Sequence, residues 1–139
     1  MNVLVVDSSV AVKWLNQTNE KDLAHADKIL ELALQRKIEI IAPELVKYEI
    51  GNVLLKGKQL TPAESSVAFE TAYSLPITFI SESEVLARET FLIAYNLGIT
   101  YYDASFISLA KLYEAALVTD NIKHHGKTKD GKVFSLADY

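Results

Sequence analysis

Short apolar runs that alternate with stretches of helical periodicity constrain this chain more than any other feature. The runs lie at residues 3–6, 38–42, 76–80 and 115–119. The first (Val3, Leu4, Val5, Val6) is uninterrupted, the pattern of a strand buried on both faces of a parallel sheet. Over residues 20–36, Leu23, Ala26, Leu30, Ala33 and Leu34 recur at three- and four-residue spacing, which predicts an amphipathic helix. Phe106, Ile107, Ala110 and Tyr113 do the same after Asp103, which opens that helix. Further helices are predicted at 10–15, 44–56, 61–74 and 84–97. Their ends carry the expected punctuation. Asp7 or Ser8 suits a cap for the first helix, Pro43 the opening of the third, and Gly57 and Gly98 two stops. Thr61, Pro62 and Glu64 spell a capping box, and Ser81 or Ser83 caps the helix from 84. Residues 133–136 read as an edge strand. Strand and helix alternate along most of the chain, so the class is α/β with a mostly parallel central sheet.

Composition bounds the function. A chain of 139 residues is read as one domain spanning 1–139, able to bury about two-thirds of its unfolded surface. It has no cysteine, which excludes disulfides, thiolate metal sites and a thiol nucleophile, and fits a reducing cytoplasm. No apolar run approaches bilayer length, so no membrane role is expected. The brief apolar start runs into Asp7 and lacks the basic region of a signal peptide. A net charge of -4 argues against a broad nucleic-acid-binding surface but leaves room for local basic patches.

Four acidic residues fall at informative places: Asp7 after the first strand, Glu49 inside a helix, Asp103 at a helix start and Asp120 after a later strand. Singly, each has a plain structural explanation as a cap, a solvated helix residue or a turn residue. Together they mean more, because parallel strands end on one side of a sheet and bring Asp7 and Asp120 together there, with Asp103 on a neighbouring loop. Crowded carboxylates stay ionised at neutral pH only if a cation compensates them. Oxygen ligands without thiolate favour Mg²⁺ or Mn²⁺. Such a metal activates water and stabilises the leaving oxygen of a phosphodiester. The residues thus point to a metal-dependent phosphodiesterase.

Four segments carry a resemblance to a known family. They are residues 5–15, with Asp7, Ser8 and Lys13; residues 42–54, with Glu49; residues 102–110, with Asp103; and residues 117–121, with Thr119, Asp120 and Asn121. In this order they resemble PIN-domain ribonucleases, and among these the VapC-type toxins of toxin–antitoxin pairs. The resemblance covers nearly the whole chain. It implies a PIN-like three-layer α/β/α fold and an acidic pocket that binds Mg²⁺ or Mn²⁺ and cuts RNA. Asp7, Glu49, Asp103 and Asp120 would be catalytic, and Asp7, Asp103, Asp120 and Asn121 would serve the metal. The family's fourth acidic position follows a threonine by two residues. Here Thr119 is followed by Asp120 and then Asn121, so an asparagine holds the expected place. Either Asp120 turns inward or a second metal site is weak. The implied partners are the RNA substrate, a second copy of the chain and a small antitoxin that blocks the pocket, with the helices at 20–36 and 44–56 as contact surfaces.

Other residues have two readings each. Ser8 positions a metal-bound water or caps its helix, and Thr119 supports the site. Lys13 reaches a phosphate or is simply solvated. Lys123, His124 and Lys127 lie in the chain's densest basic run, which is a solvated loop or an RNA-backbone contact. Tyr101 and Tyr102 stack on a base or pack in the core. A phosphoacceptor domain would need paired acids after the first strand, and a dinucleotide-binding domain a glycine-rich turn there; serines follow Asp7 instead. The remaining rival is a catalytically silent PIN-like module that binds RNA or protein.

Overall fold

A computed structural model describes residues 2–122 and 132–139. Its centre is a five-stranded sheet. The strands are β1 (Asn2–Val6), β2 (Ile38–Pro43), β3 (Ile77–Ile80), β4 (Ala116–Thr119) and β5 (Val133–Ser135). Their order is β3-β2-β1-β4-β5, and every pairing is parallel. Among the described residues six α-helices connect them: α1 (Ser8–Ala11), α2 (Leu23–Leu34), α3 (Leu45–Asn52), α4 (Pro62–Ala72), α5 (Glu84–Leu97) and α6 (Tyr101–Leu112).

The two-residue period of the strands divides the core into two layers. Val5, Ile41 and Leu117 face one side, where Val46 and Ile50 of α3, Ala68 of α4, Leu86 of α5 and Phe106 of α6 pack on them. Leu4, Val6, Ile40 and Val118 face the other, against Ala26, Ile29 and Ala33 of α2 and Leu136. Each large side chain buried in this way stabilises the fold by roughly 1.5–3 kcal/mol. The three-layer α/β/α arrangement therefore holds, with an all-parallel sheet among the described strands. Among the described residues, no helix is long and apolar enough to cross a membrane.

Some expected boundaries move. Pro43 ends β2 instead of opening a helix. The β1–β2 register runs to Val5 and Ile41, so Pro43 lies past that ladder and its missing N–H costs no bond there. The stretch 44–56 is α3 followed by a π turn at Val53–Gly57. The helix expected from residue 20 starts at Leu23, which leaves Glu20 outside it. Gly98 caps α5 at φ 65, the left-handed geometry that favours glycine. The capping box also forms: Thr61 Oγ1 accepts from Glu64 N at 3.2 Å, and Glu64 Oε1 accepts from Thr61 N at 2.9 Å. Thr61→Ala is expected to cost about 1 kcal/mol in urea denaturation, with an unchanged m-value.

Candidate active site

The parallel pairing of β1 with β4 sets Val6 against Val118, so the next residues, Asp7 and Thr119, emerge side by side at the carboxyl edge of the sheet. Asp7 is buried there and is the cap of α1, taking the N–H of Val10 at 3.3 Å. Ser9 Oγ donates to Asp7 Oδ1 at 2.5 Å, and Thr119 Oγ1 donates to Asp7 Oδ2. Each hydroxyl also accepts a backbone N–H from the turn after β4: Ser9 Oγ from Asp120 and Thr119 Oγ1 from Asn121, both at 2.9 Å. Two hydroxyls thus lock the aspartate and the 119–121 turn to one another. Sequence reasoning singled out Ser8, but the hydroxyl on Asp7 belongs to Ser9. Ser8 is the first residue of α1, and Asp7 is its cap.

Lys13 corrects the expectation most sharply. It neither projects toward a phosphate nor lies in solvent; its side chain is 0% exposed. Its Nζ meets Asp120 Oδ2 at 3.0 Å, Glu20 Oε1 at 3.0 Å and the carbonyl of Lys21 at 2.7 Å. Glu20 in turn binds Lys58 at 2.6 Å, and Lys58 also donates to the carbonyl of Thr18. Burial alone would lower the Lys13 pKa, but its hydrogen bonds to Asp120 and Glu20 outweigh that and hold it above the ordinary value. For Glu20 the balance mirrors this: burial pushes its pKa up, and the hydrogen bonds from Lys58 and Lys13 bring it below the ordinary value. The Asp120 carboxylate thus meets a lysine. Glu20, Lys58 and Ser9 are the functional-edge residues that sequence reasoning did not single out.

Glu49 and Asp103 arrive from helices. Both α3, which follows β2, and α6, which leads into β4, have their amino ends at the carboxyl edge of the sheet, as crossovers between parallel strands require. Glu49 is half-buried on α3, which packs against α1, and its Oε1 is shielded from solvent. Asp103 is half-buried and is the third residue of α6 rather than its first. Thr100 is the cap, accepting the Asp103 N–H at 3.0 Å. Asn121 is exposed. Lys123, His124 and Lys127 lie outside the described residues. Trp14 is half-buried, packs on the core and donates to the Ala26 carbonyl at 2.9 Å.

No three acidic or histidine side chains among the described residues are gathered into a metal-holding group. Asp7, Glu49 and Asp103 carry hard carboxylate oxygens, the donor type that suits Mg²⁺ or Mn²⁺. Asp120 suits them poorly, because an ammonium already faces its carboxylate.

A cleft of about 210 Å³ opens at the same edge between Pro43, Leu45, Ile80, Leu86, Tyr101 and Tyr102. Tyr102 is exposed and so does not pack in the core. Tyr101 is half-buried and donates to Glu82 Oε1 at 2.5 Å; that carboxylate and partial burial raise the phenol to about 12. The bond stabilises the fold below the ordinary tyrosine pKa of 10.0 and is lost as pH rises toward about 12. In an ultraviolet pH titration, Glu82→Gln is expected to return one late-ionising tyrosine to the ordinary range.

The sequence matches the family model described as the PIN domain over residues 4–128. Among solved structures, the chain is similar to PAE2754 from Pyrobaculum aerophilum at 24% identity and TM-score 0.71, over 98% of this chain and 90% of that one. It is also similar to a chain of VapBC2 from Rickettsia felis bound to a DNA fragment from their promoter, at 17% identity and TM-score 0.71, covering 96% and 98%. A toxin–antitoxin complex from Klebsiella pneumoniae contains a third similar chain, at 15% identity and TM-score 0.62, covering 98% and 99%. No curated protein matches the chain.

Proposed function

Because this chain belongs to the PIN-domain family, we propose that it is a metal-dependent endoribonuclease of the cytoplasm, the toxin of a VapBC-type toxin–antitoxin pair. The observation that carries the reading is Asp7: a buried carboxylate at the carboxyl edge of a parallel sheet, aimed by two hydroxyls and a backbone N–H. Such orientation has a purpose at a ligand and little at a simple helix cap, which needs only the N–H.

In this mechanism Asp7 and Asp103 would hold Mg²⁺ or Mn²⁺. Bound there, the cation supplies an activated water and charge neutralisation at the leaving oxygen of the phosphodiester. Ser9 and Thr119 keep the Asp7 carboxylate in one orientation, so no reorganisation is needed during the reaction. Glu49, half-buried on α3, is the group we assign to take a proton from the attacking water. Asn121 is exposed on the same turn and would offer a metal only a neutral oxygen.

The proposed partners are RNA, a second copy of the chain and a small antitoxin. Exposed apolar side chains offer surfaces for the two proteins: Tyr48 on α3, Leu55 on the π turn, and Phe91, Leu92 and Tyr95 on α5. Among the described solved relatives, the Klebsiella pneumoniae chain comes from a toxin–antitoxin complex, which supports the partner assignment. The second reading, a silent PIN-like module, is favoured by one observation: the acid nearest the fourth position is already held by Lys13. Incubation of the purified chain with RNA and Mn²⁺ decides between them. Chelator-sensitive cleavage supports the nuclease, and metal binding without cleavage of any RNA supports the silent module.

A further inference from the structure

Resting on the nuclease reading, we propose that Lys13 is a fixed internal cation that competes with any metal for Asp120, making Asp120 a positioning residue and the site a one-metal site. The geometry is closed on the lysine. An ammonium has three donors, and Lys13 uses three, on Asp120 Oδ2, Glu20 Oε1 and the Lys21 carbonyl. No donor is left over for a phosphate. The carboxylates of Asp120 and Glu20 and the ammoniums of Lys13 and Lys58 form a chain of ion pairs whose formal charges cancel. A second divalent cation on Asp120 would have to share that carboxylate with an ammonium that has no access to water and repels it.

The same contact reaches the proposed ligand. Lys13 fixes the Asp120 side chain, the Asp120 N–H bonds Ser9 Oγ at 2.9 Å, and Ser9 Oγ donates to Asp7 Oδ1 at 2.5 Å. Lys13 therefore aims Asp7 through two intermediates without touching the reacting atoms. Groups in such a supporting position typically change activity by about 10–100-fold when altered.

The test is a calorimetric Mn²⁺ titration and an RNA cleavage assay on wild type, Asp103→Asn, Asp120→Asn and the charge-cancelled pair Lys13→Met/Asp120→Asn. The pair guards against a single variant that fails to fold. Wild type is expected to bind one Mn²⁺ per chain, and Asp103→Asn none. Asp120→Asn and the pair should still bind one, while kcat falls about 10–100-fold with KM for RNA unchanged. A merely structural role would lower stoichiometry and kcat together, since both would then count folded molecules. Two Mn²⁺ in wild type, with one lost in Asp120→Asn, would overturn this inference and leave the nuclease reading standing. A wild type that binds no Mn²⁺ and cuts no RNA would overturn both.

Discussion

Asp103→Asn is expected to lower RNA cleavage by at least about a hundredfold, the scale of losing one group that stabilises developing charge, and to leave the fold intact. The side chain is isosteric, and the helix start does not depend on its charge: Thr100 caps α6 through the Asp103 N–H at 3.0 Å. What the fold loses is a negative charge in the first helical turn, worth about 0.3–1 kcal/mol. Asp7→Asn should lose as much cleavage but also cost about 1–3 kcal/mol, because an amide cannot accept from both Ser9 and Thr119. Circular dichroism and urea denaturation beside a fluorescent-RNA assay separate the two effects. Full cleavage by a folded Asp103→Asn would remove Asp103 from the reaction and with it the proposed metal site.

The contrast between these two aspartates also marks what could be read from sequence. Strand positions are legible because Val3, Leu4, Val5 and Val6 and the 115–118 run are apolar without interruption, which little besides a strand buried on both faces explains. The start at Thr61 and the stop at Gly98 were legible because caps are local chemistry within four residues. Thr100 was passed over because Asp103 is also a good capping type, and only the extended backbone at Thr100 decides between them. The carboxyl-edge placement of Asp7 and Asp120 followed from strand order alone. The burial of Lys13 did not, since its cause is non-local: Glu20 is 7 residues away and is itself held by Lys58, a further 38 residues along. One local hint existed. Residue 13 is the single polar position between Val10 and Leu15, a run in which a solvated lysine would be out of place.

Lys13→Met is expected to destabilise the chain by about 3–5 kcal/mol in denaturant titration at neutral pH, the scale of breaking a buried ion pair from one side. The apolar stem of methionine fills much of the lysine's space, so cavity formation is a small part of this loss. The larger part is two carboxylates, Asp120 and Glu20, left facing each other across the space the ammonium occupied. That account makes a second requirement. Adding Asp120→Asn to Lys13→Met should recover stability, a positive coupling that independent contacts would not give. The pH dependence follows from the shifts. Lys13, raised above 10.5, contributes its stability below that value and loses it as pH rises past it; Glu20, lowered below 4.5, contributes above that value and loses it as pH falls. Wild-type Tm should therefore hold a plateau between these limits and drop at both ends. In the double variant the alkaline drop should shrink, because Lys13 is gone and only other groups such as Tyr101 still contribute to it, whereas Glu20 keeps Lys58 and with it part of the acid limb.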